Sequence, residues 1–284
     1  MRSITGATRV VAVIGDPARH SLSPTMHNAA FAACDLDWVY VAHHVARGHA
    51  AKALEAMRTL GIAGYSVTMP HKADAAAAVD TCTPAAAALR AVNCVTNDLG
   101  VLRGDNTDGV GFLRGLRDDS GFDVAHARCV VFGAGGAARA VIAALGAAGA
   151  AEVHVVNRSA DAAAHAAILG GVGGRVGDMA SVAEADLVVN ATPLGMSGLS
   201  VAEMPCDPAL VRRGAVAVDL VYEPRETAWL TALHVRGVHA SNGLSMLVHQ
   251  AARQFEIWTG AEPPVAVMKA AASDALASRF AGNH

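Results

Sequence analysis

Short runs of β-branched and aliphatic residues alternate along this chain with alanine-rich stretches. Arg9–Ile14 (RVVAVI) predicts a strand, Ser23–Ala33 a helix, Val39–Val45 a strand and Gly48–Leu60 a helix. Tyr65–Met69 predicts a further strand, with Pro70 at the first position of the helix that follows. Strand and helix in alternation predict a mainly parallel sheet covered by helices. The alanine tracts at 75–78 and 85–88 fit this scheme, because alanine is the best helix former and packs closely.

A second unit starts near residue 109. His126–Phe132 predicts a strand, Gly133–Gly136 a tight turn, the next residues to about Ala148 a helix, and Glu152–Val156 a strand. That is a βαβ unit of the usual length. Strands are also expected at Leu187–Asn190 and Ala215–Leu220. From Leu244 the pattern becomes helical only. Leu244, Leu247, Val248, Ala251, Phe255 and Trp258 share one helical face, and Pro263–Pro264 precede a last helix to about Arg279.

Composition narrows the function classes. The 284 residues suit two α/β domains, and 53% hydrophobic against 17% charged residues excludes disorder. Acids outnumber bases 25 to 22, with no stripe of Lys and Arg, so nucleic acid is not the expected partner. The mean hydropathy of +0.33 raises the question of a membrane, but Ala137–Val156, the most apolar stretch, holds Arg139, Glu152, Gly146 and Gly149. No membrane partner is expected, and the N-terminal apolar run is too short for a signal peptide. Five scattered cysteines without a CxxC pair read as reduced thiols in a cytoplasmic protein.

Gly133-Ala134-Gly135-Gly136-Ala137-Ala138 lies where a strand gives way to a helix and fits the G-x-G-x-x-A dinucleotide fingerprint. Small residues let the backbone approach a pyrophosphate, and the helix N-terminus offers N–H groups to it. The next strand ends in Asn157-Arg158-Ser159. A carboxylate there would repel a 2′-phosphate, whereas Arg158 and Ser159 bind one, so NADP is the expected cofactor.

Four clusters lie outside that unit: His20-Ser21-Leu22-Ser23-Pro24 with His27-Asn28; Ser66-Val67-Thr68-Met69-Pro70-His71-Lys72; Ala91-Val92-Asn93; and Gly104-Asp105-Asn106-Thr107-Asp108-Gly109. Each is expected at or just after a strand end, the ligand-binding edge of an open α/β sheet. Lys72 falls in the first turn of a helix, where the dipole disfavours a cation unless a carboxylate compensates, and Asp108 is a candidate partner. A lysine–carboxylate pair can move a proton beside a nicotinamide. His43 and His44 are neighbours on a strand and point to opposite faces, and nothing around His20, His27 or His71 suggests zinc, so no metal is expected.

Taken in order, these motifs resemble the shikimate dehydrogenase family over nearly the whole chain. The match continues through Asn190-Ala191-Thr192-Pro193-Leu194-Gly195-Met196, Asp219-Leu220-Val221-Tyr222-Glu223-Pro224 and Asn242-Gly243-Leu244-Ser245-Met246-Leu247. The resemblance implies Lys72 and Asp108 as the catalytic pair. It implies Ser21 and Ser23 on the substrate carboxylate, with Thr68, Asn93, Tyr222 and Gln250 on its ring hydroxyls and carboxylate. It implies cofactor contacts at Gly133, Ala134, Gly135, Gly136, Ala137, Asn157, Arg158, Ser159, Thr192, Leu220 and Gly243.

The resemblance also implies an α/β fold of two domains. The N-terminal substrate domain, with a mainly parallel sheet, covers 1–108 and is completed by helices of 244–284. A Rossmann-type NADP-binding domain covers 109–243. The expected activity is NADPH-dependent, reversible reduction of 3-dehydroshikimate to shikimate, in a monomer or homodimer. The alternatives are a quinate/shikimate or aminoshikimate dehydrogenase and a non-catalytic NADP-binding regulator. Three positions depart from the family pattern. Ser66 stands where the family usually has Asn, Ser245 where it often has Gly, and Ala160-Asp161-Ala162 where a second basic residue often follows.

Overall fold

Strand β1 (Arg9–Gly15) is the first β-branched run and leads into helix α1 (Ser23–Ala33), whose Pro24 sits in the first turn. There follow β2 (Trp38–His44), α2 (Ala50–Leu60), β3 (Gly64–Val67), α3 (Lys72–Ala78), β4 (Thr81–Cys82), α4 (Pro84–Leu89), β5 (Cys94–Asp98) and β6 (Val101–Asp105). The computed structural model describes residues 3–281. They divide into two units: the described residues up to Thr107 together with those from Val248 onward, and Asp108–Leu247.

In the first unit the six strands form one sheet in the order β2-β1-β3-β5-β6-β4. β1, β2 and β3 are parallel, with Val13 opposite Ala42 on one side and Ser66 on the other. β5 runs antiparallel to β3, β6 antiparallel to β5, and β4 parallel to β6. Five carboxyl ends and the amino end of β5 therefore share one edge. The expected strand Tyr65–Met69 stops at Val67, and Pro70 belongs to the turn, not the helix. The helix instead begins at Lys72, with His71 in the capping position.

The second unit opens with α5 (Asp108–Ser120) and continues through β7 (Arg128–Phe132), α6 (Gly136–Ala147), β8 (Glu152–Val156), α7 (Ala160–Ala167), β9 (Gly174–Val176), α8 (Met179–Ala183), β10 (Leu187–Asn190), β11 (Val216–Asp219), α9 (Ala228–Val235) and β12 (His239–Asn242). β7 starts two residues later than the sequence suggests, because His126 takes a left-handed φ of 64° and Ala127 closes a turn onto Val124. All six strands are parallel, in the order β12-β11-β10-β7-β8-β9. The chain runs outward from β7 to β9, then returns to β10 on the other side. The pair β7/β10 is thus the topological switch point, where open α/β sheets bind ligands. Buried Val131, Val141, Ile142, Leu145, Val155 and Leu187 form the core under α6.

α10 (Leu244–Thr259) and α11 (Val265–Ala281) close the chain. The boundary between the units falls inside α10, after Leu247. In the first unit Phe255 stacks on Phe31 at 5.5 Å, and the Trp258 indole N–H donates to the Val95 carbonyl at 3.1 Å. The indole lies where a side chain on Gly64 would stand. Burial of each such aromatic contributes about 1.5–3 kcal/mol. The fold is the expected α/β arrangement with two mostly parallel sheets. No helix among the described residues is long and apolar enough to cross a membrane, and all five cysteines are free.

Candidate active site

The carboxyl edge of the first sheet gathers segments far apart in sequence. The turn after β1 carries Ser21 and Ser23; Ser21 Oγ accepts the Ser23 N–H at 3.2 Å and fixes the turn that enters α1. Gly15 ends β1 so close to Thr68 that a Cβ there would meet the Thr68 methyl at 2.5 Å. Backbone bonds from Thr68 N to Ile14 O and from Asp16 N to Met69 O, both 3.0 Å, lace the two turns together. Thr68 is half-buried and Lys72 half-buried in the first turn of α3. The Lys72 carbonyl accepts the Val92 N–H at 2.9 Å, which brings Asn93 to the same edge.

Asn93 does not follow a strand, as its cluster was expected to; it precedes β5. Because β5 is antiparallel, its amino end meets the carboxyl ends of its neighbours. Asn93 is 2% exposed, and its side chain locks onto Thr107 in two directions, as donor to the hydroxyl at 3.0 Å and acceptor from the N–H at 2.7 Å. Asp108 follows Thr107 directly and begins α5, where a carboxylate suits the helix dipole.

Behind these residues lies a polar network that the sequence reading missed. The Tyr40 hydroxyl donates to Ser66 Oγ at 2.6 Å, Ser66 Oγ donates to Gln254 Oε1 at 2.5 Å, and Gln254 Nε2 donates to Gln250 Oε1 at 3.0 Å. Burial pushes the Tyr40 phenol well above its ordinary range, against hydrogen bonds to Ser66 and Ser23 that act the other way. His27 stacks on Tyr40 with centroids 4.5 Å apart, and burial pulls its imidazole down to about 3. That ring is therefore neutral and serves as packing. His71 Nε2 sits 2.7 Å from the Val45 carbonyl and is fully buried, which gives it a structural place in the turn before α3. The signal for Gln254 was a carboxamide on the flank of the apolar stripe of α10, next to Phe255. Tyr40 had none, since the Ser66 hydroxyl that receives its proton lies 26 residues away.

On the second sheet the sites implied for a cofactor all fall at carboxyl ends. Gly133 has a φ of 108° at the end of β7, and a Cβ there would lie 3.0 Å from the Ala191 carbonyl in the turn after β10. This is the switch point. Gly135 and Gly136 are exposed, with nothing within 4 Å of where a Cβ would be, beside half-buried Ala134 and Ala137 at the start of α6. Such an open glycine cradle on a helix N-terminus fits a pyrophosphate.

At the end of β8, Asn157 Nδ2 donates to the Ser159 carbonyl at 3.1 Å. Ser159 Oγ accepts the Ala162 N–H at 3.2 Å as the cap of α7, so its own proton remains for an acceptor such as a phosphate oxygen. Arg158 is exposed, and no carboxylate precedes it on β8 after Glu152.

After β10, Thr192 donates its hydroxyl to Asn190 Oδ1 at 2.6 Å. Asn190 in turn donates to Asp219, whose carboxylate also accepts from Val221 N and from the Thr227 hydroxyl. Burial nevertheless raises Asp219 to about 6. Leu220 and Gly243 meet so closely that no side chain fits on Gly243. Half-buried Tyr222 follows β11. Ser245, where glycine is common in the family, donates to Asp119 of α5 at 2.7 Å. Among the described residues no group of three or more His, Cys, Asp or Glu is placed to hold a metal ion.

Comparisons with known proteins place the chain. Residues 13–95 match the model of the shikimate dehydrogenase substrate binding domain, and residues 243–272 match that of the shikimate 5'-dehydrogenase C-terminal domain. The chain is 43% identical to the NADP(+) shikimate dehydrogenase of Moorella thermoacetica, over 99% of this chain and 98% of that protein. It is 44% identical to the NADP(+) shikimate dehydrogenase of a Geobacter species, over 98% of each. The crystal structure of shikimate 5-dehydrogenase from Thermus thermophilus, in complex with NADP(H) and shikimate, matches with a TM-score of 0.88. It is 37% identical, and the match covers 94% of this chain and 100% of that one.

Proposed function

The chain belongs to the shikimate dehydrogenase family, and we propose that it catalyses the reversible, NADP-dependent reduction of 3-dehydroshikimate to shikimate. The observation that carries this reading is the gathering of Ser21, Ser23, Thr68, Lys72 and Asn93 from separate strands at one sheet edge. That set offers hydroxyl donors, a carboxamide and one ammonium group, which is what a polyhydroxylated carboxylic acid with one reacting carbonyl requires.

Each residue has a task in this mechanism. Ser21 and Ser23 bind the substrate carboxylate through neutral hydroxyls. Thr68, Asn93, Tyr222 and Gln250 hold the ring hydroxyls and the carboxylate. Lys72 gives a proton to the carbonyl oxygen as it gains charge, and in the reverse direction takes it from the hydroxyl. Asp108 balances the ammonium and keeps it aimed. On the second unit Gly133, Ala134, Gly135, Gly136 and Ala137 hold the pyrophosphate, while Asn157, Arg158 and Ser159 hold the 2′-phosphate ribose. Thr192, Leu220 and Gly243 border the nicotinamide half. Bound there, NADPH supplies the hydride for the carbonyl carbon. Asn190 and Asp219 carry the turns that present Thr192 and Leu220.

The same reading puts the enzyme in the cytoplasm, in line with its free thiols, and makes it a monomer or homodimer. The test is stoichiometric. Incubated with shikimate and NADP, the chain is expected to form one 3-dehydroshikimate per NADPH, and the reverse mixture to return shikimate. Failure to form either product overturns the proposal.

A further inference from the structure

Gln254 is 1% exposed on α10, one helical turn beyond Gln250. A carboxamide at that depth must satisfy both of its ends. Its Nε2 lies 3.1 Å from the Asn93 backbone carbonyl, 3.0 Å from Gln250 Oε1 and 3.4 Å from Thr107 Oγ1, while its Oε1 lies 2.5 Å from Ser66 Oγ. A backbone carbonyl only accepts, so Asn93 fixes which end of the Gln254 amide is nitrogen. The polarity then spreads both ways. Ser66 spends its single proton on Gln254 and accepts from Tyr40 at 2.6 Å. Gln250 turns its oxygen toward Gln254, and its Nε2 is thereby carried to the opposite side.

We propose that Gln254 is a positioning residue that sets the polarity of Gln250, making that side chain a hydrogen donor toward an oxygen of the bound substrate. A carboxamide without such a neighbour can present either end, and half of its orientations oppose a carboxylate or a hydroxyl lone pair. Ser66 is part of the device. Its proton is committed inward, so this position orients the site instead of donating to a ring hydroxyl. The carboxamide chemistry found in the family at position 66 is here supplied from α10. The inference rests on the reading of Gln250 as a substrate residue.

The test is steady-state kinetics with shikimate and NADP for wild type, Gln254→Met, Gln250→Ala and the double variant. Gln250→Ala loses its bond entirely and should raise KM for shikimate about 10-fold or more, as for a hydrogen bond to a charged group. Gln254→Met keeps the volume but not the polarity; it should raise the same KM by roughly 3- to 10-fold, with KM for NADP and kcat changed less than about twofold. In the Gln250→Ala background Gln254→Met should add less than about twofold, because nothing remains to orient. If Gln254→Met does not fold, Gln254→Ala takes its place, with the same expectation.

A Gln254 variant with wild-type KM for shikimate, beside a Gln250→Ala with raised KM, overturns the inference and leaves the substrate reading standing. Equal effects of Gln254→Met in both backgrounds also overturn it, since they mark a structural role alone. An unchanged KM in Gln250→Ala removes Gln250 from the substrate site and the inference with it.

Discussion

Thr107 gives its backbone N–H to Asn93 Oδ1 at 2.7 Å, and Asn93 Nδ2 gives a hydrogen to the Thr107 hydroxyl at 3.0 Å. The start of β5 is thereby tied to the residue that directly precedes Asp108. Asn93→Ala leaves the buried Thr107 N–H and hydroxyl short of partners, at about 1–3 kcal/mol for each group left unsatisfied. Urea unfolding is expected to show that loss, and KM for shikimate to rise with it. A variant as stable as wild type would show that water replaces Asn93 at no cost.

Lys72 is the one ammonium among the side chains assigned to the substrate. Lys72→Ala should lower kcat by roughly 10²–10⁴-fold, the usual contribution of a positioned proton donor. KM should move far less, since the proton is transferred only in the transition state. Retention of full kcat would take Lys72 out of the mechanism.

Arg158 carries the cofactor choice. Its guanidinium is exposed beside a serine whose lone pair already caps α7. A charge-assisted bond to the 2′-phosphate is worth about 1.5–3 kcal/mol, or roughly 10- to 150-fold. With Ala160-Asp161-Ala162 in place of a second basic residue, the lower part of that range is expected. Arg158→Ala should lower kcat/KM for NADP and leave that for NAD unchanged. Equal losses with both cofactors would assign Arg158 to another part of the nucleotide.

Asp219 makes stability depend on pH. Its folded value of about 6 lies above the ordinary 3.8. A raised carboxylate favours the folded state fully below about pH 4, and that contribution is lost as pH rises through about 6. At about 1.36 kcal/mol per tenfold change, the difference amounts to roughly 2–3 kcal/mol. Asp219→Asn should therefore gain stability relative to wild type between about pH 4 and pH 7.5, read as the change in urea midpoint. A constant difference between the two proteins across that range would show that the three hydrogen bonds to Asp219 outweigh its burial.

Much of this was legible in the sequence, and what was not has physical reasons. β1 and β10 declared themselves because parallel strands buried on both faces read as apolar runs, and β8 through its three valines beside the glycine turn. β4 is two residues long and carries no period, and β5 (CVTND) mixes polar residues into a strand whose direction no local pattern encodes. Asn93 could thus be named as a candidate site residue while its place before a strand could not be read. Ser66 stood out as a departure from the family. That its partner is Gln254 depends on a pairing across 188 residues, which one sequence does not reveal. Ser245 stood out where the family often has glycine, and its bond to Asp119 gives it a role within the second unit.

The most direct test of the account is kcat/KM for the wild-type chain with shikimate and with quinate, each paired with NADP and with NAD. Neutral serine hydroxyls at Ser21 and Ser23, and Arg158 without a preceding carboxylate, lead to the expectation that shikimate with NADP exceeds every other pairing, by about 10-fold or more over shikimate with NAD. A highest value for quinate, or equal values for NADP and NAD, would contradict it.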